Sequence, residues 1–273
     1  MSINDDAQPA VLTASWMGTV DYADAWAWQR ELFMARLDGD RSDTLMLLEH
    51  PPTYTLGRRG IEEDLVYDEA ERARRGIGLY NVDRGGRATY HGPGQLVGYP
   101  ILELGSRDSQ IDISSPADPR IPRERYDVLT YLRKLEEVVI RTAAAFGVDA
   151  VRDPENTGVW VGPNKLGAIG VKITRGITMH GFALNVVTDL SMFEGIVPCG
   201  IQGRWVTSIA QETGIRHPVK QVASVAAENL AEVFDRPLVW SHPDHLRARR
   251  PEITADGSVQ GEPSPIDDGG RVV

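Results

Sequence analysis

Residues 162–187 read GPNKLGAIGVKITRGITMHGFALNVV. Two runs rich in apolar and β-branched residues, Leu166–Ile173 and Ile177–Val187, are separated by Thr-Arg-Gly and preceded by a Gly-Pro-Asn turn. This pattern is typical of antiparallel strands joined by short turns. With the preceding run Thr157–Val161, it predicts the centre of an antiparallel sheet.

Further strands are expected where short apolar runs stop at proline or glycine: Thr44–Glu49, Leu79–Val82, Ala88–Tyr90 and Leu96–Leu104. We expect the last three to pair as neighbours. Apolar residues at three- and four-residue steps predict helices over Tyr22–Leu37, Tyr126–Phe146 and Val219–Phe234. Asp68–Arg75 is expected to be a short charged helix ended by Gly76, and Pro237–Trp240 an edge segment. Hairpins with covering helices indicate an α+β single domain with a mixed or antiparallel sheet, not a doubly wound one.

Polar composition sets the expected domain limits. Residues 106–124 are rich in Ser, Asp, Pro and Arg and predict a surface insertion, and residues 241–273 nearly lack large apolar side chains and predict a disordered tail. With a flexible N-terminus expected over residues 1–10, residues 11–240 are expected to form a single folded domain. No apolar run approaches the ~20 residues of a membrane span, and no signal peptide is recognisable, so we expect a cytoplasmic protein.

Charge and cysteine content narrow the possible functions. A net charge of −10 disfavours nucleic-acid binding. One cysteine excludes an intramolecular disulfide and a multi-cysteine metal site, and no HExxH motif is present, so no metal is expected. The chain also lacks a GxxxxGK[ST] loop and a GxGxxG turn, so nucleotide binding has no local support.

Cys199 and Lys165 are the candidates for nucleophilic chemistry. A lone cysteine is more often a small buried hydrophobe, but Cys199 lies between Pro198 and Gly200, where the backbone can bend toward a ligand. A nucleophilic thiolate needs a cationic neighbour, which Lys165 or Lys172 can supply. The commoner role of such a lysine is a solvated turn residue.

A glycine-bearing segment, Arg84–Gln95, contains His91 among small residues that let the backbone approach a ligand. His180 precedes a glycine within an apolar strand, where a histidine is more often structural. His50 precedes two prolines and has the simpler interpretation of a strand-end residue. Taken alone, the glycine pattern of Arg84–Gln95 is a weak indication of a ligand site.

Four ordered blocks together resemble the lipoyl(octanoyl) transferase family, LipB: Leu48–Gly57, Arg84–Pro100, Lys165–Lys172, and His180–Asn185 with Pro198–Ile201. The resemblance implies the fold shared by the catalytic domains of biotin- and lipoate-protein ligases. It implies Cys199 as the acyl-thioester nucleophile and Lys165 as the group that keeps it ionised and moves protons. It also implies a substrate site made of Arg84, Gly85, Gly86, Arg87, Ala88, Thr89, Tyr90, His91, Ala168, Ile169, Gly170, His180, Gly181 and Phe182.

The activity implied by this resemblance is transfer of an octanoyl group from acyl carrier protein to a lysine of a lipoyl domain, without ATP, cofactor or metal. Implied acceptors are the E2 subunits of 2-oxoacid dehydrogenases and the H protein of glycine cleavage, and the implied state is a monomer. An acidic carrier would need a basic surface, which we expect from Arg58, Arg59, Arg72, Arg74, Arg75, Arg84 and Arg87.

Two alternatives remain open from the residues. One is an ATP-dependent lipoate or biotin ligase on the same scaffold, in which Cys199 is incidental. The other is a noncatalytic protein that binds acyl or lipoyl groups. ATP dependence separates the first from octanoyl transfer, and a covalent adduct on Cys199 separates the second.

Overall fold

The computed structural model describes residues 10–105, 127–197 and 205–246. Its strands are β1 (Leu12–Thr19), β2 (Asp43–Glu49), β3 (Thr53–Leu56), β4 (Gly78–Asn81), β5 (Ala88–His91), β6 (Gln95–Ile101), β7 (Val151–Arg152), β8 (Val159–Val161), β9 (Asn164–Thr174), β10 (Ile177–Asn185) and β11 (Leu238–Trp240). Its α-helices are α1 (Tyr22–Leu37), α2 (Glu69–Arg74), α3 (Val128–Ala145), α4 (Ile209–Thr213), α5 (Val219–Val233) and α6 (Pro243–Leu246).

The strands form a large and a small sheet. The large sheet has the order β11-β1-β2-β6-β10-β9-β8-β7, and the small one has the order β4-β3-β5. Strand β1 is parallel to β2 and β11, and β3 is parallel to β4, whereas the other pairs are antiparallel. Both sheets are therefore mixed, and the expected α+β class is confirmed.

The central strands are buried on both faces because apolar side chains occupy both strand phases. In β2, Leu45 and Leu47 belong to the core cluster that includes α3 and α5, and Met46 and Leu48 belong to the cluster that includes α1. Alternate residues of a strand point to opposite faces, so one apolar strand supplies two cores. The layers are helix, sheet and helix.

Local signals explain the ends of the main helices. Helix α3 begins after Asp127, whose carboxylate accepts a hydrogen bond from the Leu129 amide, and it ends near Gly147 at φ +81°. The expected helices over 22–37, 126–146 and 219–234 match α1, α3 and α5 within two residues at each end. The expected edge segment is confirmed as β11.

Two expectations about strands were wrong. Strand β3 directly follows Pro51-Pro52 and separates β4 from β5, so those two strands are not neighbours. Strand β6 lies in the large sheet between β2 and β10, away from β5. Prolines exclude central ladder positions but do not prevent a strand from beginning immediately after them.

The expected segment limits are only partly covered by the described residues. The insertion at 106–124 and most of the N-terminal segment 1–10 lie outside them, as does 247–273 of the expected tail. Residues 243–246 form α6, and Leu246 is buried in the core that includes α1, so ordered structure extends beyond 240. Over the described ranges, no helix combines the length and apolarity that crossing a bilayer requires.

Candidate active site

A cavity of about 670 Å³ lies where the small sheet, β9 and β10 meet. Its volume is within the range usual for small-ligand sites. Most of the predicted site residues line it: Arg84, Gly85, Gly86, Arg87, Ala88, Thr89, His91, Lys165, Ala168, Ile169, Gly170, His180, Gly181 and Phe182. Predicted Tyr90 does not line it, since its buried ring packs edge-on against Tyr54 and Phe193 in the small-sheet core.

Arg84 organises the glycine-bearing loop from inside. Its buried guanidinium donates to the Thr55 carbonyl at 2.8 Å, the Thr55 hydroxyl at 2.7 Å and the Arg87 carbonyl at 2.9 Å. A Cβ on Gly170 would lie 3.0 Å from the Arg84 Cδ, so glycine in β9 lets this arginine lie against the strand. Arg84 therefore shapes the loop and is buried, so it is not part of a carrier-binding surface.

His180 adopts a left-handed backbone, with φ +59°, in the middle of β10. This conformation is costly for a residue with a side chain and persists only where its surroundings hold it. Its Nε2 donates to Asp83 at 2.6 Å, and its amide donates to the Gln29 side chain at 2.8 Å. Asp83 also accepts from Lys172 at 2.7 Å, so the loop that precedes Arg84 is tied to both β9 and β10.

The titration of this pair is consistent with a neutral histidine that donates to a carboxylate. Burial lowers the pKa of His180 although the Asp83 hydrogen bond opposes the shift. Burial alone would raise the pKa of Asp83, but hydrogen bonds from His180 and Lys172 hold it well below its ordinary value. Asp83 therefore stays ionised near neutral pH.

Two further histidines are buried at the cavity: His91 lines it, and His50 lies against His91 outside the lining. His50 Nδ1 lies 2.7 Å from the Val20 carbonyl, which can only accept, so Nδ1 carries the proton and Nε2 accepts from the Tyr99 hydroxyl at 2.8 Å. His91 Nδ1 donates to the Gln95 side-chain oxygen at 2.8 Å. Burial lowers the pKa of His50 to about 4 and that of His91 well below its usual range. Both rings are neutral at pH 7.

Lys165 is half-buried in the cavity wall at the start of β9. Its amide donates to the Trp205 carbonyl at 2.9 Å, and its carbonyl accepts from the Thr207 amide at 2.9 Å. Its Nζ lies over the Trp160 ring, 4.7 Å from the ring centroid. The side chain and the backbone of this predicted catalytic residue are thus both held.

Cys199 lies outside the described residues, so its predicted role stays a prediction. The described residues on either side of it are linked to the cavity lining, one side through an intervening residue and the other directly. The Val197 amide donates to the Asp64 carbonyl at 2.8 Å, and Asp64 pairs with Arg87 of the glycine-bearing loop. On the other side, Trp205 bonds the backbone of Lys165.

Several cavity residues were missed in the sequence. Tyr22 lines the cavity although its helical spacing suggested only a core position, and burial raises its pKa to about 12. Tyr99 and Asn185 also line it from β6 and β10. Trp160 does not line the cavity but contacts Lys165, and it had a usable signal because it stands opposite Lys165 across the predicted turn. Among the described residues, no group of three or more His, Cys, Asp or Glu side chains is placed to hold a metal ion.

Two solved structures share this fold. A lipoate-protein ligase A bound with ATP aligns with a TM-score of 0.64 and 17% identity, over 88% of this chain and 92% of that chain. A bi-partite lipoate protein ligase from Thermoplasma acidophilum aligns with a TM-score of 0.63 and 18% identity, over 86% of this chain and 90% of that chain. The architecture is that of a lipoate-protein ligase catalytic domain.

Sequence relatives give the family. Residues 21–231 match the lipoyl protein ligase A/B catalytic domain. An octanoyltransferase of Chloroflexus aggregans is 47% identical over 227 residues, covering 82% of this chain and 95% of the relative, and one of Rubrobacter xylanophilus is 46% identical over 222 residues, covering 81% and 92%. The chain therefore belongs to the lipoyl protein ligase A/B catalytic domain family and to its octanoyltransferase members, as expected from its motifs.

Proposed function

We propose that this chain transfers an octanoyl group from octanoyl-acyl carrier protein to a lysine of a lipoyl domain through a thioester on Cys199. The observation that carries the proposal is the placement of Lys165. Its backbone and its side chain are held at the wall of a cavity of about 670 Å³, and the segment that follows Cys199 in the sequence contributes the Trp205 carbonyl that fixes it. The similarity to octanoyltransferases supports octanoyl as the group that is transferred.

The first half-reaction begins from the Cys199 thiolate and the Lys165 ammonium. The thiolate attacks the carbonyl carbon of the octanoyl thioester, and the bond from that carbon to the carrier sulfur breaks. The released carrier thiolate takes a proton from the Lys165 ammonium. Splitting the exchange at a covalent intermediate lets two bulky partners use one site in turn.

The second half-reaction restores the starting ion pair. The amine of the incoming lysine attacks the octanoyl-Cys199 carbonyl, forming the amide while the Cys199 thiolate leaves. Lys165, now neutral, accepts the proton that the attacking nitrogen loses. No step requires ATP, since the thioester bond already carries the activation.

The structure narrows the basic surface that would receive an acidic carrier. Arg84 is buried, Arg87 pairs with Asp64, and Arg74 and Arg75 pair with Glu71 on α2. Arg72 donates to the Tyr67 carbonyl at 2.7 Å. Arg58 and Arg59 are exposed, and Arg59 lines the cavity, so these two arginines are our proposed carrier contact.

The acceptors we propose are lipoyl domains, with E2 subunits of 2-oxoacid dehydrogenases and the glycine cleavage H protein as the specific partners. The solved relative from Thermoplasma acidophilum was described together with its E2 lipoyl domain, which supports the acceptor class. We place the reaction in the cytoplasm, with the enzyme acting as a monomer.

The decisive experiment incubates the purified chain with octanoyl-acyl carrier protein without ATP and measures intact mass. We expect one octanoyl adduct that Cys199→Ala abolishes and Lys165→Ala slows by at least about a hundredfold, within the range that proton-transfer groups contribute. Lys220→Ala is the matched control, since Lys220 is exposed on α5. An unmodified wild-type chain, or transfer that requires ATP, would contradict the proposal.

A further inference from the structure

The geometry points to Trp160 as the residue that positions the Lys165 ammonium, with Gly158 leaving the space for the lysine side chain beside it. This inference rests on the proposed function of Lys165. It adds a residue that acts through the lysine and does not itself touch the reacting atoms.

The contact between the two side chains has the geometry of a cation–π interaction. The Nζ of Lys165 lies 4.7 Å from the Trp160 ring centroid, within the ~6 Å at which an indole face attracts a cation. Trp160 is 3% exposed, so water hardly competes for the ring. Trp160 and Lys165 are also paired across β8 and β9, so the backbone presents the ring to the lysine.

Gly158 lies on the other side of the Lys165 side chain from Trp160. Its φ is +125°, and a Cβ at this position would lie 2.7 Å from the Gly167 carbonyl oxygen and 3.2 Å from the Lys165 Cε. Any larger residue would push against the backbone of β9 and the lysine stem together. The space that the lysine occupies therefore depends on a glycine in a conformation that other residues rarely adopt.

A buried carboxylate fixes Gly158. The Glu136 side chain, on α3, accepts from the Gly158 amide at 3.0 Å and pairs with Arg133 at 2.6 Å and Arg152 at 3.3 Å. The two arginines compensate its charge in the core. Glu155, an exposed residue of the loop before β8, also lines the cavity.

Holding the ammonium matters because a lysine side chain has four flexible bonds and many accessible rotamers. A lysine that must stabilise a thiolate and then exchange protons with two different groups needs one favoured position. The ring of Trp160 supplies attraction without supplying a competing proton acceptor. A carboxylate in the same place would instead neutralise the cation on which the thiolate depends.

The position of the Lys165 Nζ over the Trp160 ring is tested by NMR. For the reactivity measurements described next, Trp160 alone is replaced with mono- and trifluorotryptophan, which weaken the ring's attraction for a cation at nearly constant shape. We expect an upfield ring-current shift of the Lys165 ε-protons by NMR in the wild type, lost in Trp160→Leu. Absence of that shift in the folded wild type would overturn the inference, whether or not the chain transfers octanoyl groups.

The consequence is read from the pH dependence of iodoacetamide alkylation, which reports Cys199 alone because the chain has one cysteine. At pH 7 we expect about a threefold to tenfold slower alkylation in Trp160→Leu, with graded intermediate values across the fluorinated series. Combining Trp160→Leu with Lys165→Ala should add nothing to the loss in Lys165→Ala. Val159→Ala, a buried neighbour on the same strand, should lower stability without moving the pH profile.

These outcomes separate the two proposals. If wild-type Cys199 takes no octanoyl group, the proposed function fails, but the NMR shift still tests whether Lys165 lies over the Trp160 ring. If the adduct forms but the fluorinated variants keep the wild-type pH profile, the role of Trp160 fails and the proposed function stands.

Discussion

His50 shows how a single buried side chain ties the stability of this protein to pH. The ring is fully buried, and its folded-state pKa of about 4 lies below the ordinary value of about 6.5. Between those values the unfolded chain binds a proton that the folded chain does not. Stability is therefore complete above about pH 6.5 and falls as the pH drops toward 4.

We expect the free energy of unfolding to fall by about 1.4 kcal/mol per pH unit for this histidine within that window, and His50→Gln to remove that share of the slope. Urea unfolding at pH 7, 6 and 5 measures it. His91, also buried and neutral, leaves a residual slope in the variant. His242→Gln is the control because that ring is exposed, and an equal change in both variants would refute this account of His50.

Single site residues could be predicted from the sequence where residues next to them in the chain form a recognisable pattern. The glycine-bearing loop and Lys165 could be recognised because each lies in a short, unusual run. Tyr22 could not be assigned to the site because it lies on α1, far in sequence from the other cavity residues, and the apolar spacing around it is equally that of a core helix. The left-handed φ of His180 follows from contacts with Asp83 and Gln29, which no local pattern encodes.

Strands β6 and β10 form one wall of the cavity through an unusually close contact. A Cβ on Gly98 of β6 would overlap the ring of Phe182 on β10, and Phe182 lines the cavity. The glycine thus lets the ring lie against the neighbouring strand, where it leaves room for a ligand.

Gly98→Ala should push the Phe182 ring away from β6 and destabilise the protein by about 1–3 kcal/mol, the usual cost of overpacking. Adding Phe182→Leu removes the ring and should recover part of that loss, which urea unfolding of the single and double variants measures. Gly85→Ala is the control, since its backbone does not adopt a positive φ and an added Cβ would meet only the Val171 carbonyl oxygen, at an ordinary 3.5 Å. Additive losses in the double variant would contradict the contact described here.

Helices were easier to anticipate than strand neighbours. The bounds of α1, α3 and α5 follow from apolar periodicity within one segment. Sheet order depends on pairings between segments, and short strands such as β3 carry too few residues to show a period. The hairpin β9–β10 was predictable because its turn and both strands are contiguous in sequence.

Over the whole molecule, a net charge of −10 would repel an acidic carrier unless a local basic surface guides it. We expect Arg58→Glu/Arg59→Glu to lower kcat/KM for the carrier-bound substrate by about tenfold at low ionic strength, with the difference shrinking as salt screens the charges. Arg216→Glu, an exposed arginine outside the cavity, is the matched control. Rates equal to wild type at low salt would exclude these two arginines as the carrier contact.

The parallel pairing of β1 with β11 joins positions that are far apart in the chain: the Ser15 hydroxyl donates to the Ser241 carbonyl, 226 positions away. During synthesis at 5–20 residues per second, roughly 10–45 s separate the appearance of these two partners at the ribosome. β2 can cover one side of β1 early, but its other side waits as an unpaired edge until β11 has been synthesised. The chain therefore carries an edge open to aggregation while it is being made, and β11, the last strand among the described residues, closes that edge.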